Sequence, residues 1–309
     1  TTQVWPKGVD SITALGAHNG FLYIFGKNNI LIYQNATDPS TMSLQDVVTG
    51  IGCIARDSVQ NTGTDIIFLS ATGVRSMQRT IQEKSQPLND LSKNVRNDLI
   101  SAVAGETLST IKSVYNSKEA FYLLTLPVLK SVYCFDMKAT LPDGAARVTT
   151  WDSIEPKSLL TKQDGTLYIG KGGYLATYSG YNDDTSTYRF QYYTNNADLG
   201  NPSVTSILKK LRAVVIGGSN QYVTFKWGYD FTGNYYSASA KIPTQVVSYY
   251  GVAEYNTTAE YSGGVSLQIL SVYPTGSGKI VQTGYEADIN AFPLSIQKLE
   301  IFAKEGKVY

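Results

Sequence analysis

Hydrophobic and polar residues alternate in short runs along most of the chain, and the runs come in pairs separated by turn residues. The clearest pair is Phe21-Leu22-Tyr23-Ile24-Phe25, a turn at Gly26-Lys27-Asn28-Asn29, then Ile30-Leu31-Ile32-Tyr33. This pattern predicts a β-hairpin. Three variants follow. Ile66-Ile67-Phe68-Leu69 turns through Ala71-Thr72-Gly73 into Val74-Arg75-Ser76-Met77. Ala120-Phe121-Tyr122-Leu123-Leu124 turns near Pro127 into Ser131-Val132-Tyr133-Cys134-Phe135. Thr166-Leu167-Tyr168-Ile169 turns through Gly170-Lys171-Gly172-Gly173 into Tyr174-Leu175-Ala176-Thr177-Tyr178. Aligned on a central aromatic, the copies sit at Tyr23, Phe68, Tyr122 and Tyr168, at intervals of 45, 54 and 46 residues. A strand-turn-strand unit that returns every 40–50 residues or so has the period of propeller blades.

A short strand is expected before each hairpin, at residues 11–15, 53–56, 110–114 and 158–161. Small side chains recur there, at Ala14, Ala55, Ser113 and Ser158, and small side chains suit innermost strands that crowd around an axis. Outer strands are expected at 42–48 and 148–151, which would make four-stranded blades. Four blades are visible. A ring closed by four is one expectation; further blades upstream of Thr1, or supplied by the C-terminal half, are the other. One helical insertion is predicted around 89–104. Asn89 would cap it, Asp90 would lie in its first turn, Leu88, Leu91, Val95 and Leu99 would share a face, and Gly105 would end it. Such a helix would cover a blade edge or meet a neighbouring subunit.

The polar stretch Tyr181-Asn182-Asp183-Asp184-Thr185-Ser186 marks a division. Residues 1–183 read as propeller blades and 184–309 as an antiparallel, β-sandwich-like platform. In the second part, strands are expected at 188–194, 209–216, 221–229, 235–242, 246–252, 265–272, 279–288 and 294–304, punctuated by glycine turns and with no helix. Two further blades are the rival architecture for this half.

Composition narrows the function more than the fold. Lys+Arg 26 against Asp+Glu 25 leaves a net charge of +1 over 309 residues, so no global field draws the chain to nucleic acid or an anionic membrane. Cys53 and Cys134 lie far apart in apolar surroundings and read as buried free thiols rather than a disulfide framework. No apolar run approaches the ~18 residues of a membrane span. The abundance of Tyr (23) and Gly (27) favours an all-β, turn-rich protein. The opening Thr1-Thr2-Gln3-Val4-Trp5-Pro6 has neither Met nor a signal pattern, which reads as an excised or processed segment or as missing upstream sequence.

The candidate chemistry is sparse. His18, the single histidine, reads as a solvated loop residue before the first hairpin, without a nucleophile signature beside it. Gly276-Ser277-Gly278-Lys279-Ile280 departs from a phosphate loop at both its first glycine and its Ser/Thr, and reads as a hairpin turn. Asp183-Asp184 lacks the alternating oxygen ligands of a calcium loop. Asp57, Asp65, Asp136, Asp152 and Asp164 lie near blade strands, where a carboxylate pair in a cleft would serve glycoside hydrolysis. The turn around Asp164-Gly165 faintly echoes an Asp-box but occurs once. Trp5, Trp151 and Trp227 with the tyrosines would form either a sugar-stacking surface or core. Lys209-Lys210-Leu211-Arg212 reads as a charged strand start guarding a sheet edge. The sequons at Asn35 and Asn256 matter only in a secreted protein. No catalytic, cofactor-binding or metal-ligating residue is assigned, and no enzyme is expected.

Two stretches carry a family likeness. The first includes Ile12-Thr13-Ala14-Leu15, Leu22-Tyr23-Ile24-Phe25-Gly26, Ile32-Tyr33, Asp38-Pro39, Gly50-Ile51-Gly52-Cys53 and Ile66-Ile67-Phe68-Leu69-Ser70-Ala71-Thr72-Gly73-Val74-Arg75. The second includes Leu199-Gly200-Asn201-Pro202, Lys209-Lys210-Leu211, Gly217-Gly218 and Val223-Thr224-Phe225-Lys226-Trp227. On these residues, covering about half of the chain, it resembles the nozzle (tail tubular B, or tail stabilisation) proteins of short-tailed bacteriophages. The resemblance implies a structural virion protein, one subunit of a ring homo-oligomer, a hexamer in the family. It implies partners in a tail adaptor protein and tail fibre or spike proteins, and DNA passing non-specifically through the lumen. No cofactor or membrane association is implied. The lumen of such a ring is expected to present mixed or acidic loops, because each phosphate neutralised by Lys or Arg slows passage. The alternatives are a carbohydrate-binding or carbohydrate-active propeller, which needs convergent carboxylates and aromatics, and a generic protein-interaction propeller.

Overall fold

The computed structural model describes residues 10–83, 90–152, 154–199, 203–244 and 267–306. The protein is 53% strand and 8% helix, in several antiparallel sheets. It divides into two compact units, Thr1–Ser179 and Gly180–Tyr309; the division expected from composition, between 183 and 184, lies within the start of the second.

The first unit is a series of antiparallel meanders. The first holds β1 (Ile12–His18), β2 (Phe21–Gly26), β3 (Asn29–Gln34) and β4 (Ser43–Thr49) in that order. The second has three strands, β5 (Gln60–Asn61), β6 (Ile66–Ser70) and β7 (Gly73–Ser76). The third has four, β8 (Lys112–Asn116), β9 (Phe121–Leu126), β10 (Ser131–Thr140) and β11 (Ala146–Trp151). The fourth has three, β12 (Ser158–Thr161), β13 (Leu167–Gly170) and β14 (Leu175–Thr177). The uniform four-stranded unit expected from sequence therefore holds only for the first and third. The expected first strand at 53–56 is also absent. Arg56–Ser58 forms a 3-10 turn instead, because the Ser58 hydroxyl turns back to donate to the Ala55 carbonyl at 2.7 Å while accepting from the Leu69 amide at 3.0 Å.

Period-two alternation decides how the meanders stack. In β6, Ile66 and Phe68 join Tyr23 and Phe25 of the first sheet in one core, while Ile67 and Leu69 join Tyr122 and Leu124 of the third in another. In β9, Tyr122 and Leu124 face the second sheet, while Phe121 and Leu123 face Leu167 and Ile169 of the fourth. Both strands are buried along their whole length, which is why they read as unbroken apolar runs. β13, covered on one face, alternates buried and half-buried. The aligned aromatics do not share a direction. Tyr23 faces the sheet that follows it, whereas Phe68 and Tyr122 face the sheet before. Tyr168 lies on the face of β13 opposite to Leu167 and Ile169. A one-residue slip reverses a strand's faces, so the aromatic marks the strand and not its register.

Polar bonds cross each junction. Thr13 Oγ1 donates to the Cys53 carbonyl at 2.7 Å and Asn61 Nδ2 to the Ala17 carbonyl at 2.8 Å. Gln60 Nε2 donates to Ser113 O at 3.1 Å, and the buried Tyr122 hydroxyl to Ser58 O at 2.8 Å. Asn116 Nδ2 reaches Gly165 O at 2.9 Å and Thr125 Oγ1 reaches Pro156 O at 3.1 Å.

Two helices follow the second sheet, α1 (Met77–Glu83) and α2 (Arg96–Ala104). Sequence patterning missed α1. Its start is served by a carboxylate from across the sheet, Asp65, which accepts from the Gln78 amide at 3.0 Å. The predicted helix around 89–104 begins later than expected, at Arg96; Leu88 and Asn89 lie outside the described residues. Asp90 is not in its first turn. Leu91 donates its amide to Val74 O at 3.0 Å, and Ser92 Oγ accepts from Val74 N at 3.0 Å. These bonds tie the segment to the last strand of the second sheet, and a 3-10 turn at Lys93–Val95 follows before the helix starts. Asp90 is buried there against Arg96 at 2.7 Å, and burial raises its carboxyl above the usual range despite that cation. Leu91, Leu99 and Val103 enter the core shared by the second and third sheets. Gly105 ends α2, its amide returning to Ala102 O at 3.1 Å.

The second unit has two antiparallel sheets. One has the order β15 (Tyr188–Tyr193), β21 (Val281–Ile289), β17 (Tyr222–Tyr229), β18 (Tyr236–Lys241). The other centres on β16 (Ser206–Gly217), paired with β19 (Leu267–Val272) and β20 (Ser277–Gly278), and with β22 (Leu294–Glu305). Alternate residues of both sheets, Leu211, Ala213 and Val215 against Val223, Phe225 and Trp227, meet in one core. The strand expected at 246–252 lies outside the described residues, as do residues 265 and 266 of the next one.

Removing the Tyr122 hydroxyl (Tyr122→Phe) leaves the buried Ser58 carbonyl short of a donor. The expected loss is about 1–3 kcal/mol, measured by urea denaturation. At Gly52 an added Cβ would stand 2.3 Å from the Gly26 carbonyl oxygen. Gly52→Ala should therefore lower the melting temperature more than Gly20→Ala, whose Cβ meets nothing within 4 Å; circular dichroism melts compare them.

Candidate functional site

The first strands of all four meanders border one open cavity of about 590 Å³. Its wall comes from Ile12, Thr13, Ala14 and Leu15, from Arg56, Asp57, Val59 and Gln60, from Lys112 and Ser113, and from Ser158 and Leu159. Three of the four small residues expected near an axis, Ala14, Ser113 and Ser158, are among them. The fourth, Ala55, is buried in the core between the second and third sheets.

Asp57 is the electrostatic centre of this wall. Arg56 Nε and Nη2 donate to its two carboxylate oxygens at 2.7 and 3.1 Å, and Lys112 Nζ donates to Oδ2 from across the junction. The Arg56 hydrogen bonds, then Lys112, hold the Asp57 carboxyl at about 2, against the opposing pull of partial burial. Lys112 also donates to Ser109 O at 3.2 Å, and the Ser113 hydroxyl to the Asp57 carbonyl at 2.7 Å. The charges in the wall are thus spent on one another. Such a triad clamps the second and third meanders together.

The other candidates are dispersed. Asp65 serves α1, Asp136 accepts from the Lys138 amide at 2.9 Å, and Asp164 accepts from the Thr166 amide at 2.8 Å. The Asp164-Gly165 turn joins β12 to β13, with Gly165 at φ +82°. Of the five carboxylates, only Asp57 borders the cavity. His18 is the last residue of β1, half-buried and not a loop residue. Trp151 stacks on Tyr178 at 5.8 Å, while Trp227 is core in the other unit and donates Nε1–H to Thr275 O at 3.0 Å. Trp5 lies outside the described residues. Lys209-Lys210-Leu211-Arg212 belongs to the central strand β16, not to an edge. There Lys210 lies over Tyr273 and Arg212 over Phe302, and Arg212 pairs with Glu300 at 3.3 Å. Gly276 and Gly278 make room for the Tyr229 side chain, which an added Cβ at either would meet at 2.7 Å. Asp183 forms a bridge with Ser186. Both cysteines are buried and free; burial raises both thiols, Cys134 to about 12. Among the described residues no group of three or more His, Cys, Asp or Glu could hold a metal ion, and no helix is long and apolar enough to cross a membrane.

No protein-family model and no curated protein matches the chain. Among solved structures it is similar to a tryptic core variant of Cry1Da from Bacillus thuringiensis, at 12% identity and a TM-score of 0.25. That match covers 96% of this chain and 51% of the other. It is also similar to a glycoside hydrolase family 43 arabinoxylan arabinofuranohydrolase from Bacillus subtilis in complex with cellotetraose, at 8% identity and a TM-score of 0.23. That match covers 93% of this chain and 54% of the other, so the chain spans about half the length of both proteins. Likenesses of this strength do not amount to a shared fold. The class that the structure itself defines is an all-β protein of antiparallel sheets.

The clamp has a pH signature. Its stabilisation is present above the unfolded-state carboxyl value of about 3.9 and is lost as pH falls through about 2, the folded value. Asp57→Asn should cost up to about 1 kcal/mol at neutral pH, as partly exposed pairs do. The gap from wild type should close between pH 4 and pH 2, measured by urea midpoints across that range.

Proposed function

We propose that the four meanders are blades in an open arc of a β-propeller, and that the protein is a structural subunit of a phage tail nozzle ring. In this reading it extends the tail tube, bears on a tail adaptor protein, docks fibres or spikes and conducts DNA during ejection. The observation that carries the arc is the shared cavity. One strand from each meander reaches it, always the first in chain order. Sheets stacked face to face in chain order, each with its first strand at a common centre, have the plan of propeller blades. The nozzle assignment rests on the sequence resemblance, and two structural features support a stiff, assembling subunit. The cavity charges are tied into a clamp, and large apolar side chains such as Leu160, Leu175, Leu267 and Ile269 are exposed on sheet faces. Exposed apolar patches on sheets suit permanent contacts with other chains.

The lumen of the ring would present mixed or acidic loops, in keeping with the net charge of +1. Electron cryomicroscopy of purified phage particles, looking for this chain, tests the assignment. The expected result is a ring of this fold beneath one capsid vertex, with an inner surface that is not strongly basic. Particles that lack the chain, or that carry it away from the tail, would overturn the virion role; a strongly positive inner wall would overturn the conduit account.

A further inference from the structure

One sheet of the second unit, β15-β21-β17-β18, turns Val223, Phe225, Trp227, Val281 and Tyr285 into the core. Alternation and the pairing register put Gly284, Glu286 and Lys226 on its other face, with Gln191 and Tyr193 beside them in β15 and Ser237 in β18. No outward position of these four strands carries an aliphatic side chain. The residues there are aromatic, amide, hydroxyl, charged or glycine.

Two tyrosine rings are built into this face. The Tyr193 ring lies against Gly284, where an added Cβ would stand 2.6 Å from it, and the Tyr235 ring against Gly228, where the distance would be 3.2 Å. Their hydroxyls are anchored as well. Tyr193 donates to Glu286 Oε1 at 2.6 Å and Tyr235 donates to Gln282 Oε1. The ring centroids are 5.4 Å apart, and Tyr235 is 43% exposed. Glu286 is buried among its own partners on this face, Tyr193, Arg189 and Lys226. Around it Gln191 and Ser237 are exposed, and neither side chain holds a hydrogen bond among the described residues.

We infer that this face binds a neutral oligosaccharide. The argument is complementarity of charge and shape. A pyranose with equatorial hydroxyls carries C–H bonds on its ring faces and hydroxyls around its rim. The faces stack on aromatic rings, and the rim exchanges hydrogen bonds with amides and hydroxyls. Tyr193 and Tyr235 offer the first contact; Gln191 and Ser237 offer the second. The ions are matched to one another: Arg189 stands between Glu286 and Asp288, and Lys226 is 3.6 Å from Glu286. Two cations and two anions leave no excess charge to draw an ionic chain. A protein partner would need an apolar centre to its interface, and no aliphatic side chain is here to form one. Rings held by glycine contacts and hydroxyl bonds before the ligand arrives lose little freedom on binding. The inference concerns the second unit alone and rests on neither the arc of blades nor the virion assignment.

Isothermal titration calorimetry of the full chain with cellohexaose, maltohexaose and laminarihexaose tests it. At least one should bind with a millimolar or tighter constant, and added salt should leave that constant unchanged. Tyr235→Ala should weaken binding by roughly 10-fold or more, the scale of a hot-spot loss, with an unchanged melting curve. Tyr235→Phe, which keeps the ring, should retain most of the affinity. No binding of any of the three at millimolar concentration, or binding that Tyr235→Ala leaves intact, would overturn the inference. So would binding of hexagalacturonate in place of the neutral chains. None of these outcomes bears on the place of the chain in a particle, which microscopy decides.

Discussion

A sheet that is apolar on both faces has no stable place in water unless each face is covered. That constraint organises the first unit. β6 and β9 carry large side chains on both sides of the strand and are buried along their length. Each must lie between two other sheets. The first and fourth sheets supply that cover at either end of the series, and the second and third cover each other. Consecutive meanders are neighbours in space, as successive elements of a chain commonly are.

Stacking sheets in this way brings their first strands together. The crowding there is relieved by Gly16, where an added Cβ would come within 3.3 Å of Ile66 and Phe25, and by Ala14, Ser113 and Ser158. Where side chains are longer they are paired, as Asp57 is with Arg56 and Lys112. The cavity is thus a consequence of packing, lined by groups that hold neighbouring sheets in register. Its chemistry is that of a joint. Short polar bonds such as Asn61 to Ala17 and Asn116 to Gly165 repeat the same solution at the other junctions.

The second unit solves the covering problem by a different route. Its two sheets each turn one face to a common core, so β16 and β17 alternate buried and less buried positions where β6 and β9 do not. Polar residues on the other face of one sheet are joined across strands. Glu286, only 7% exposed, accepts from Tyr193 at 2.6 Å and also pairs with Arg189 and Lys226. Burial, then the Glu286 hydrogen bond, pushes the Tyr193 phenol up to about 12.

Much of this was legible in the chain itself. β12 and β17 fall where turn residues and strand pattern place them, because each has a hairpin partner close in sequence. The end of α2 at Gly105 is local in the same way. Other features depend on partners far along the chain. The turn at Arg56–Ser58 is set by Leu69, α1 is served by Asp65, and the late start of α2 follows from the pairing of Leu91 with Val74. The Asp57 clamp needs Lys112, 55 residues away. Local pattern therefore determined the strands, the turns and the all-β class. Which face of each strand looks forward or back, and which of five carboxylates reaches the cavity, were decided only by tertiary packing. A strand's sequence offers two faces, and a neighbouring sheet is what distinguishes them.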